Sequence, residues 1–391
     1  MLVAGALAAD LSCDYVPLEG FADSPAPVLY TSNPAIFSQS VGGVGHNVAL
    51  AAHYAGASTL LCSAVGDDVT GRALITQVRQ SGLPASGIHV LDPASDARTA
   101  QYVAMNDTRK DLVMAMADMS ILSSQILDSE SLWERIMTQH RPGWVVIDGN
   151  WSTSIISHIA SAARSVGARI AFESVSAQKS SRVTKLIKPE HVMPNHIVDL
   201  ATPNVLELQT MYHTARDALL FESESWWSII NALNLPRAGS RDRFLQLTSS
   251  RLVDQGVPQQ TLQLLPYIPC MVTKLGTQGC LVSQLLRPGD PRLRHPESAP
   301  YILGRASEDA KAVGGVYMRL VPPAELVKQE EVVSVNGVGD TLLGVLVAAL
   351  AKKGTGSRVE DVLMVAQAAA VRTLKSKRAV SEGVKGILEY L

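Results

Sequence analysis

The chain has 391 residues, of which 47% are apolar and only 18% are charged, where about 25% is usual. This composition is typical of a well-packed globular protein. The 34 Lys and Arg residues nearly balance the 36 Asp and Glu residues, so the formal net charge is −2. Such a balance offers no field that would attract a nucleic acid or an anionic membrane surface as the main partner.

The cysteines indicate a reducing compartment. There are four of them: Cys13, Cys62, Cys270 and Cys280. They form no C-x-x-C pair and are too few to crosslink a chain of this length, so we expect a cytoplasmic protein, with an organelle as the alternative. The apolar residues 2–9 follow no basic residue and predict a buried strand, not a secretion signal. No apolar run reaches the roughly 18 residues of a membrane span.

Strand and helix patterns alternate along most of the chain. The predicted strands are LVAGAL (2–7), STLLCSAVG (58–66), WVVIDGN (144–150), ARIAFESV (168–175), IVDLATPN (197–204), CMVTKLG (270–276) and GCLVSQL (279–285). Helical spacing of apolar residues predicts helices within 48–56, 71–82, 153–167 and 181–189. This alternation predicts an α/β fold with a mainly parallel central sheet and helices on both of its faces.

Other segments depart from this alternation. Residues 98–119 contain YVAMN and LVMAMA on either side of a polar turn, which predicts an antiparallel hairpin. Together with residues 12–40, this hairpin is our predicted lid. Two regions, about 213–263 and 285–330, are predicted to be surface insertions because they contain polar connections and a stretch rich in Pro and Arg. No linker separates independent domains, so we expect one domain over residues 1–391.

The segment 330–354 (EEVVSVNGVGDTLLGVLVAALAKKG) is the most informative. It predicts a strand at 332–335, a turn containing Gly337 and Gly339, and an apolar helix that begins near Asp340. Glycines let the backbone approach a ligand, and the free amides at a helix start attract an anion. The spacing matches neither a Walker loop nor a full G-x-G-x-x-G. Alternatively, Asp340 caps the helix and the glycines merely turn the chain.

Two further segments carry candidate binding residues. In residues 40–56, Gly42, Gly43 and Asn47 precede or begin a helix of small residues, where the backbone either approaches a polar ligand or packs tightly against another element. In TPNVLEL, Asn204 and Glu207 are three residues apart after a strand. This offset suits two oxygen ligands that face one site, and it suits an N-terminal capping arrangement equally well.

In this order along the chain, the segments resemble the ribokinase-like (PfkB) carbohydrate and nucleoside kinases. The matching segments are GALAAD, which ends at Asp10, then GGVGHN, AVGDDVTG, TPNVLEL, VTKLGTQG and NGVGDT. The last resembles the signature G-A-G-D of the family, with Val338 in place of Ala. The resemblance implies a ribokinase-like three-layer α/β/α sandwich with a mainly parallel central sheet and a small β lid.

Within this family, the chain is most similar to the pseudouridine kinase branch. SNPAIFSQSVGGVGHNVA resembles the S-N-P-G entry of that branch, with Ala35 where Gly is usual. AMADM and VIDGN resemble two of its strand ends. FESVSAQK resembles D-P-V-S-x-x-K, with Glu173 and Ser174 in place of Asp-Pro and with Lys179 retained. In eukaryotes such kinase domains are often fused to a pseudouridine-5′-phosphate glycosidase, which implies a functional link to that enzyme.

The resemblance implies an ATP- and Mg²⁺-dependent kinase that phosphorylates the 5′-hydroxyl of pseudouridine. Asp340 would be the catalytic base, and the amides of Gly337, Val338 and Gly339 would form the anion hole. The other implied site residues are Asp10, Gly42, Gly43, Asn47 and Lys179 for the acceptor, Asn204, Lys274, Gly276, Gly279 and Gln367 for ATP, and Glu207 with Asn204 for Mg²⁺. A monovalent cation and a homodimer through the lid are further implications.

Three alternatives remain at this stage. The first is a PfkB kinase for another acceptor, such as ribose or adenosine, because recognition of hydroxyl groups does not identify the base. The second is a catalytically silent ligand-binding or regulatory relative, which is suggested by the departures at Ala35, Ser174, Lys274 and Val338. The third, a nicotinamide-dependent oxidoreductase, fits poorly because GALAAD lacks the required G-x-G-x-x-G.

Overall fold

The computed structural model describes residues 1–17, 26–92, 97–235, 240–307, 309–354 and 356–390. The strands are β1 (Leu2–Ala4), β2 (Ala8–Tyr15), β3 (Ala35–Gly42), β4 (Leu60–Gly66), β5 (Ile88–Leu91), β6 (Gln101–Asn106), β7 (Leu112–Asp118), β8 (Trp144–Asp148), β9 (Arg169–Glu173), β10 (Leu200–Ala201), β11 (Cys270–Lys274), β12 (Cys280–Leu286), β13 (Ile302–Arg305) and β14 (Gly315–Val321). The helices are α1 (Val44–Tyr54), α2 (Val69–Gln80), α3 (Glu130–His140), α4 (Thr153–Ser165), α5 (Ala177–Thr184), α6 (Val205–Asp217), α7 (Glu224–Ala232), α8 (Ser240–Leu247), α9 (Ser250–Asp254), α10 (Val257–Leu264), α11 (Val338–Lys353) and α12 (Val359–Leu374).

The main sheet has the strand order β13-β14-β12-β11-β10-β9-β8-β1-β4-β5. The strands from β11 to β5 are parallel, whereas β12 and β14 run antiparallel to their neighbours. Every residue of β1 and β8 is buried, because helices cover both faces of a parallel sheet. One apolar core lies beneath α3, α4 and α6, and the other lies beneath α1, α11 and α12. These layers confirm the predicted three-layer fold.

Helix α11 is the centre of its layer. Residues 341–350 are all buried, because the helix is apolar on every side and packs between α1 and α12. Its contact with α1 is close: a Cβ atom on Gly344 would lie 2.5 Å from the carbonyl oxygen of Val48. Across the described ranges of the chain, no helix combines the length and the apolar character needed to cross a membrane.

A second, four-stranded sheet projects from the main body, in the order β3-β2-β6-β7. The pairs β2–β3 and β6–β7 are antiparallel, and β2–β6 is parallel. The predicted hairpin in residues 98–119 is therefore confirmed as β6 and β7. Apolar side chains on β3 and β7 are exposed, including Phe37 (69%) and Met116 (58%). That this sheet closes over a substrate stays a prediction.

Two predictions are wrong: the strand at 332–335 and the description of 285–330 as wholly a surface insertion. Residues 332–335 form no strand, because the N–H groups of Val333 and Ser334 donate to the carbonyl of Leu374 at the end of α12. The range 285–330 is not wholly a surface insertion, since β13 and β14 within it belong to the main sheet. Of the predicted insertion 213–263, residues 236–239 lie outside the described residues, and the rest forms mainly helices that pack on the body through buried side chains such as Trp226. The single domain stays a prediction.

We expect the packing around α11 to dominate the free energy of unfolding. Leu346 is fully buried, so Leu346→Ala should lower the free energy of unfolding by about 2–5 kcal/mol in a urea titration. The matched control is Leu206→Ala in α6, whose side chain is 66% exposed and should change the value by less than about 0.5 kcal/mol. Equal effects of the two variants would contradict this description of the core.

Candidate active site

The candidate site begins at the glycine turn before α11. Gly337 has a positive φ of 74°, and a Cβ atom there would overlap the carbonyl of Ala379, so only glycine fits. The first intrahelical hydrogen bond runs from the N–H of Thr341 to the carbonyl of Gly337. The preceding amides, including those of Val338 and Gly339, are therefore outside the helical hydrogen-bond ladder. We call residues 337–339 the anion cradle, and their role as the anion hole stays a prediction.

Asp340 lies in the first turn of α11 and is partly buried. Burial raises the pKa of its carboxyl group to about 7, and the negative charge of Glu173 adds to this effect. A hydrogen bond from Asn47 Nδ2 to Asp340 Oδ2 (2.8 Å) and the positive charge of Lys274 oppose it. A carboxyl group with a pKa near 7 can accept a proton at neutral pH.

Asn47 was predicted to hold the acceptor, but its side chain has two protein partners. Its Nδ2 donates to Asp340, and its Oδ1 lies 3.3 Å from Nδ1 of His46. Both residues belong to α1 and are buried. The structure thus places Asn47 where it orients the carboxylate of Asp340. The role in binding the acceptor stays a prediction.

Lys274, at the end of β11, forms an ion pair that the sequence analysis missed. Its Nζ lies 2.9 Å from Glu173 Oε1, and Glu173 Oε2 accepts a hydrogen bond from Thr202 Oγ1 at 2.7 Å. Burial disfavours the ammonium, but the charges of Glu173, Glu207 and Asp340 outweigh it and raise the pKa of Lys274. A Cβ atom on Gly339 would lie 3.2 Å from Lys274 Nζ, so the ammonium is beside the anion cradle.

Asn204 and Glu207 form the capping box that was one of the two readings of TPNVLEL. Glu207 N–H donates to Asn204 Oδ1 (3.0 Å), and Asn204 N–H donates to Glu207 Oε2 (2.8 Å). Burial raises the pKa of Glu207, with an opposing effect from Lys274. Its Oε1 accepts no hydrogen bond from a described residue and remains available to a cation or to a water on that cation.

These donors fit a magnesium ion that is held chiefly by a substrate. No cluster of three or more His, Cys, Asp or Glu side chains in the described ranges could hold a metal ion by itself. Mg²⁺ commonly binds one or two carboxylates together with substrate phosphates and water. Glu207 would supply that carboxylate, and its fixed orientation in the capping box would place the free oxygen.

Asp10 and Gly42, which were both predicted to bind the acceptor, come together in the structure. The carboxylate of Asp10 lies directly against Gly42, where any Cβ atom would overlap it. Burial raises the pKa of Asp10 to about 6. Among the described residues, no side chain or amide donates a hydrogen bond to this carboxylate, so it is available to hydroxyl groups of a ligand. Gly43, with φ of 94°, begins α1 and crosses closely over the backbone of Ala6.

Lys179 is bound to the neighbouring loop. Its Nζ donates to Asn150 Oδ1 (2.6 Å), and the negative charge of Asp148 favours its ammonium, although burial lowers its pKa overall.

Asp148 itself was missed as a site residue. It accepts N–H groups from Ala6 (2.7 Å) and Asn150 (2.8 Å), and its charge contributes to the raised pKa of Asp340. Its position at the end of strand VIDGN was the available signal.

A cavity of about 470 Å³ adjoins the glycine turn before α11, with Val338 and Gly339 in its wall. Of the predicted ATP residues, it is lined by Lys274, Gly276 and Gln367. Gly279 is not in its wall; this residue packs against the backbone at Val321 and Pro322. Gln367 Nε2 donates to the carbonyl of Pro322 (3.0 Å) and thereby fixes the wall of the cavity.

Apart from Val338 and Gly339, which were predicted for the anion hole, the remaining wall of this cavity was not predicted from sequence. It includes apolar residues of the segment 324–335 and the buried thiol of Cys280. Leu326 and Val335 are 79% and 71% exposed, as expected for apolar side chains that face an open cavity. Asn204 lines an adjacent, smaller cavity together with Lys274. The apolar wall and the anion cradle together suit a ligand with an aromatic ring and phosphates.

Comparison with protein families identifies the chain. The model of the pfkB family carbohydrate kinases matches residues 17–224, which is more than half of the sequence. The chain belongs to this pfkB family. The family assignment agrees with the resemblance of the sequence motifs, including those at Asp10 and Asp340 that lie outside the matched residues.

Two curated relatives have pseudouridine in their names. A pseudouridine-metabolizing bifunctional protein of Schizosaccharomyces pombe is 28% identical over 366 residues, which are 92% of this chain and 44% of the relative. A pseudouridine kinase of Escherichia coli is 29% identical over 180 residues, which are 46% of this chain and 53% of that protein. The chain thus spans about half the length of these curated relatives.

Solved structures confirm the ribokinase-like fold. A ribokinase of Cryptococcus neoformans, in complex with ADP, has a TM-score of 0.61 at 16% identity and covers 100% of this chain and 97% of its own. A nucleoside kinase of Burkholderia thailandensis, in complex with inosine, has a TM-score of 0.55 at 11% identity, with 97% and 92% coverage. At these identities, the likeness establishes the fold alone.

The raised pKa of Asp340 predicts a pH-dependent stability. Its folded-state pKa of about 7 exceeds the ordinary value of 3.8, so its contribution to stability is full below about pH 4 and is lost as the pH rises through about 7. Asp340→Asn should therefore gain melting temperature relative to wild type between pH 5 and pH 8 in thermal unfolding. The control is Asp217→Asn, at a side chain that is 70% exposed. A difference in melting temperature between Asp340→Asn and wild type that stays constant with pH would contradict the raised pKa of Asp340.

Proposed function

We propose that this protein is an ATP- and Mg²⁺-dependent kinase that transfers the γ-phosphate to the 5′-hydroxyl of pseudouridine. The observation that carries the proposal is the position of Asp340: a carboxyl group with a pKa of about 7 lies at the start of α11, directly after the glycine turn. This arrangement joins a proton acceptor to an anion cradle, and phosphoryl transfer to an alcohol needs both.

In this reaction, each of the site residues would have its own role. Asp340, oriented by Asn47, accepts the proton of the attacking hydroxyl. The amides at the glycine turn stabilise the negative charge on the transferring phosphoryl group, and the ammonium of Lys274 adds positive charge beside Gly339. Asp10 holds hydroxyl groups of the acceptor ribose. When bound, Mg²⁺ near Glu207 neutralises charge on the phosphates; a monovalent cation stays a prediction.

The choice of pseudouridine rests on the two relatives and on the branch motifs around Asn33, Asp148 and Lys179. Another nucleoside or a sugar such as ribose is the second candidate, because Asp10 would recognise the hydroxyl groups of either. The bifunctional relative supports a functional link to a pseudouridine-5′-phosphate glycosidase. The homodimer through the lid also stays a prediction. A catalytically silent relative would not need the carboxylates that this site retains.

A coupled ADP-release assay with Mg²⁺-ATP tests the proposal against pseudouridine, uridine, adenosine, ribose and fructose. We expect the highest kcat/KM for pseudouridine. Uridine is the matched control because it has the same ribose and differs in the attachment of the base. Preference for another acceptor would retain the kinase and overturn the substrate. Absence of turnover with every acceptor, in protein that binds ATP, would overturn the kinase.

Asp340→Asn should remove the proton acceptor and leave the nucleotide cavity unchanged. We expect turnover to fall by about 10²- to 10⁴-fold. ATP affinity, measured by calorimetry, should stay within a few-fold of wild type. Full activity of this variant would exclude Asp340 as the base, and a parallel loss of ATP binding would show that its effect is not confined to proton transfer.

A further inference from the structure

A second cavity, of about 660 Å³, lies on the opposite edge of the main sheet. Its wall contains the first residues of β8, β9 and β11, which are Trp144, Arg169 and Cys270. The last residues of the same strands carry Asp148, Glu173 and Lys274 in the candidate active site. Each pair is separated by four residue steps, or about 13 Å along a strand. This cavity is therefore separate from the active site.

The cavity carries more positive than negative charge. Four arginines from different segments line it: Arg169, Arg287, Arg292 and Arg358. Arg292 is buried and pairs with Asp290 (2.9 Å) and Glu360 (3.1 Å). The other three form no ion pair with a described residue. Of these, Arg169 is held over the ring of Trp144, with 5.2 Å between its Cζ and the ring centre.

The carboxylates in the wall already have partners. Asp199 forms an ion pair with Arg164 (2.9 Å) and lies 3.0 Å from Nε2 of His196, and Asp290 is paired with Arg292. Neither carboxylate forms an ion pair with Arg169, Arg287 or Arg358, although the positive charge of Arg358 also lowers the pKa of Asp290. The arginines without ion pairs belong to three different segments of the chain that all line this one cavity.

His196 gives an independent sign of a missing partner. It lines the cavity, only 8% of it is exposed, and its Nδ1 has no hydrogen-bond partner among the described residues. Buried polar atoms in native proteins are nearly always hydrogen-bonded. His196 also lines a neighbouring cavity with Arg164 and Lys188, so a polar group or an ordered water in either cavity would satisfy this atom.

We propose that this cavity is a binding site for a small phosphorylated molecule. Guanidinium groups match phosphate oxygens with paired, charge-assisted hydrogen bonds, and three of them suit the charge of a phosphate monoester or diphosphate. The volume lies within the usual range for small-molecule sites, about 300–1,000 Å³. The site binds its ligand at the amino-terminal edge of β8, β9 and β11, without contact to Asp340.

Calorimetry with inorganic pyrophosphate, in the presence of saturating ADP, tests the proposal. The double variant Arg287→Gln/Arg358→Gln removes two of the arginines that lack ion pairs and touches no residue of the active site. We expect wild type to bind pyrophosphate. The affinity of the double variant should be at least about tenfold lower. The matched control is Arg294→Gln, an exposed arginine near Arg287 that does not line the cavity. This control should bind as wild type does.

Two results would overturn the proposal. One is pyrophosphate binding that is unchanged in the double variant, which would place the anion elsewhere, including the glycine cradle before α11. The other is an equal loss in Arg294→Gln, which would indicate a diffuse effect of surface charge. Because the readout is the difference between variants, it reports on this cavity whether or not the protein is a pseudouridine kinase. Circular dichroism of each variant confirms that it is folded.

Discussion

The ion pair between Lys274 and Glu173 makes the charge arrangement of the candidate site possible. Three carboxylates, of Glu173, Glu207 and Asp340, lie close enough to affect the pKa of one ammonium. Lys274 opposes the raised pKa values of Glu207 and Asp340, so without its ammonium burial and repulsion would favour the protonated forms of these two carboxyl groups more strongly. With it, Glu173 is paired, Glu207 caps α6 with one oxygen free, and Asp340 retains a pKa of about 7. One residue at the end of β11 therefore sets the protonation states on which the proposed chemistry depends.

The second constraint is the close packing of α1 on α11. Gly344 permits the backbones to approach, and the same contact brings Asn47 within 2.8 Å of Asp340, although 293 residues separate them in the chain. The glycine turn before α11 is fixed in turn by the backbone at Ala379. The glycine turn and the carboxyl group of Asp340 are thus positioned by the core of the protein, which favours a site that is formed before any ligand binds.

Much of this was predictable from local patterns. The strands of the parallel sheet, the hairpin in residues 98–119, the glycine turn and the capping box at Asn204 all follow from short-range spacing. The pairing of Lys274 with Glu173 could not be predicted in this way. The two residues are 101 residues apart in the chain, and β10 lies between their strands. The apolar run at 332–335 was misread because its side chains line a cavity and its amides bond to the end of α12. β14 was missed because the neighbouring Pro- and Arg-rich stretch dominated the pattern.

The proposed chemistry depends most directly on the protonation of Asp340. A ¹³C NMR titration of aspartate carboxyl groups, with the Asp340 signal assigned by its loss in Asp340→Asn, measures this quantity without any substrate. We predict a midpoint of about 7 in the wild-type protein. In Lys274→Met the midpoint should be higher, because the ammonium that favours the carboxylate is gone. A midpoint near the ordinary 3.8, or one that Lys274→Met leaves unchanged, would contradict the account.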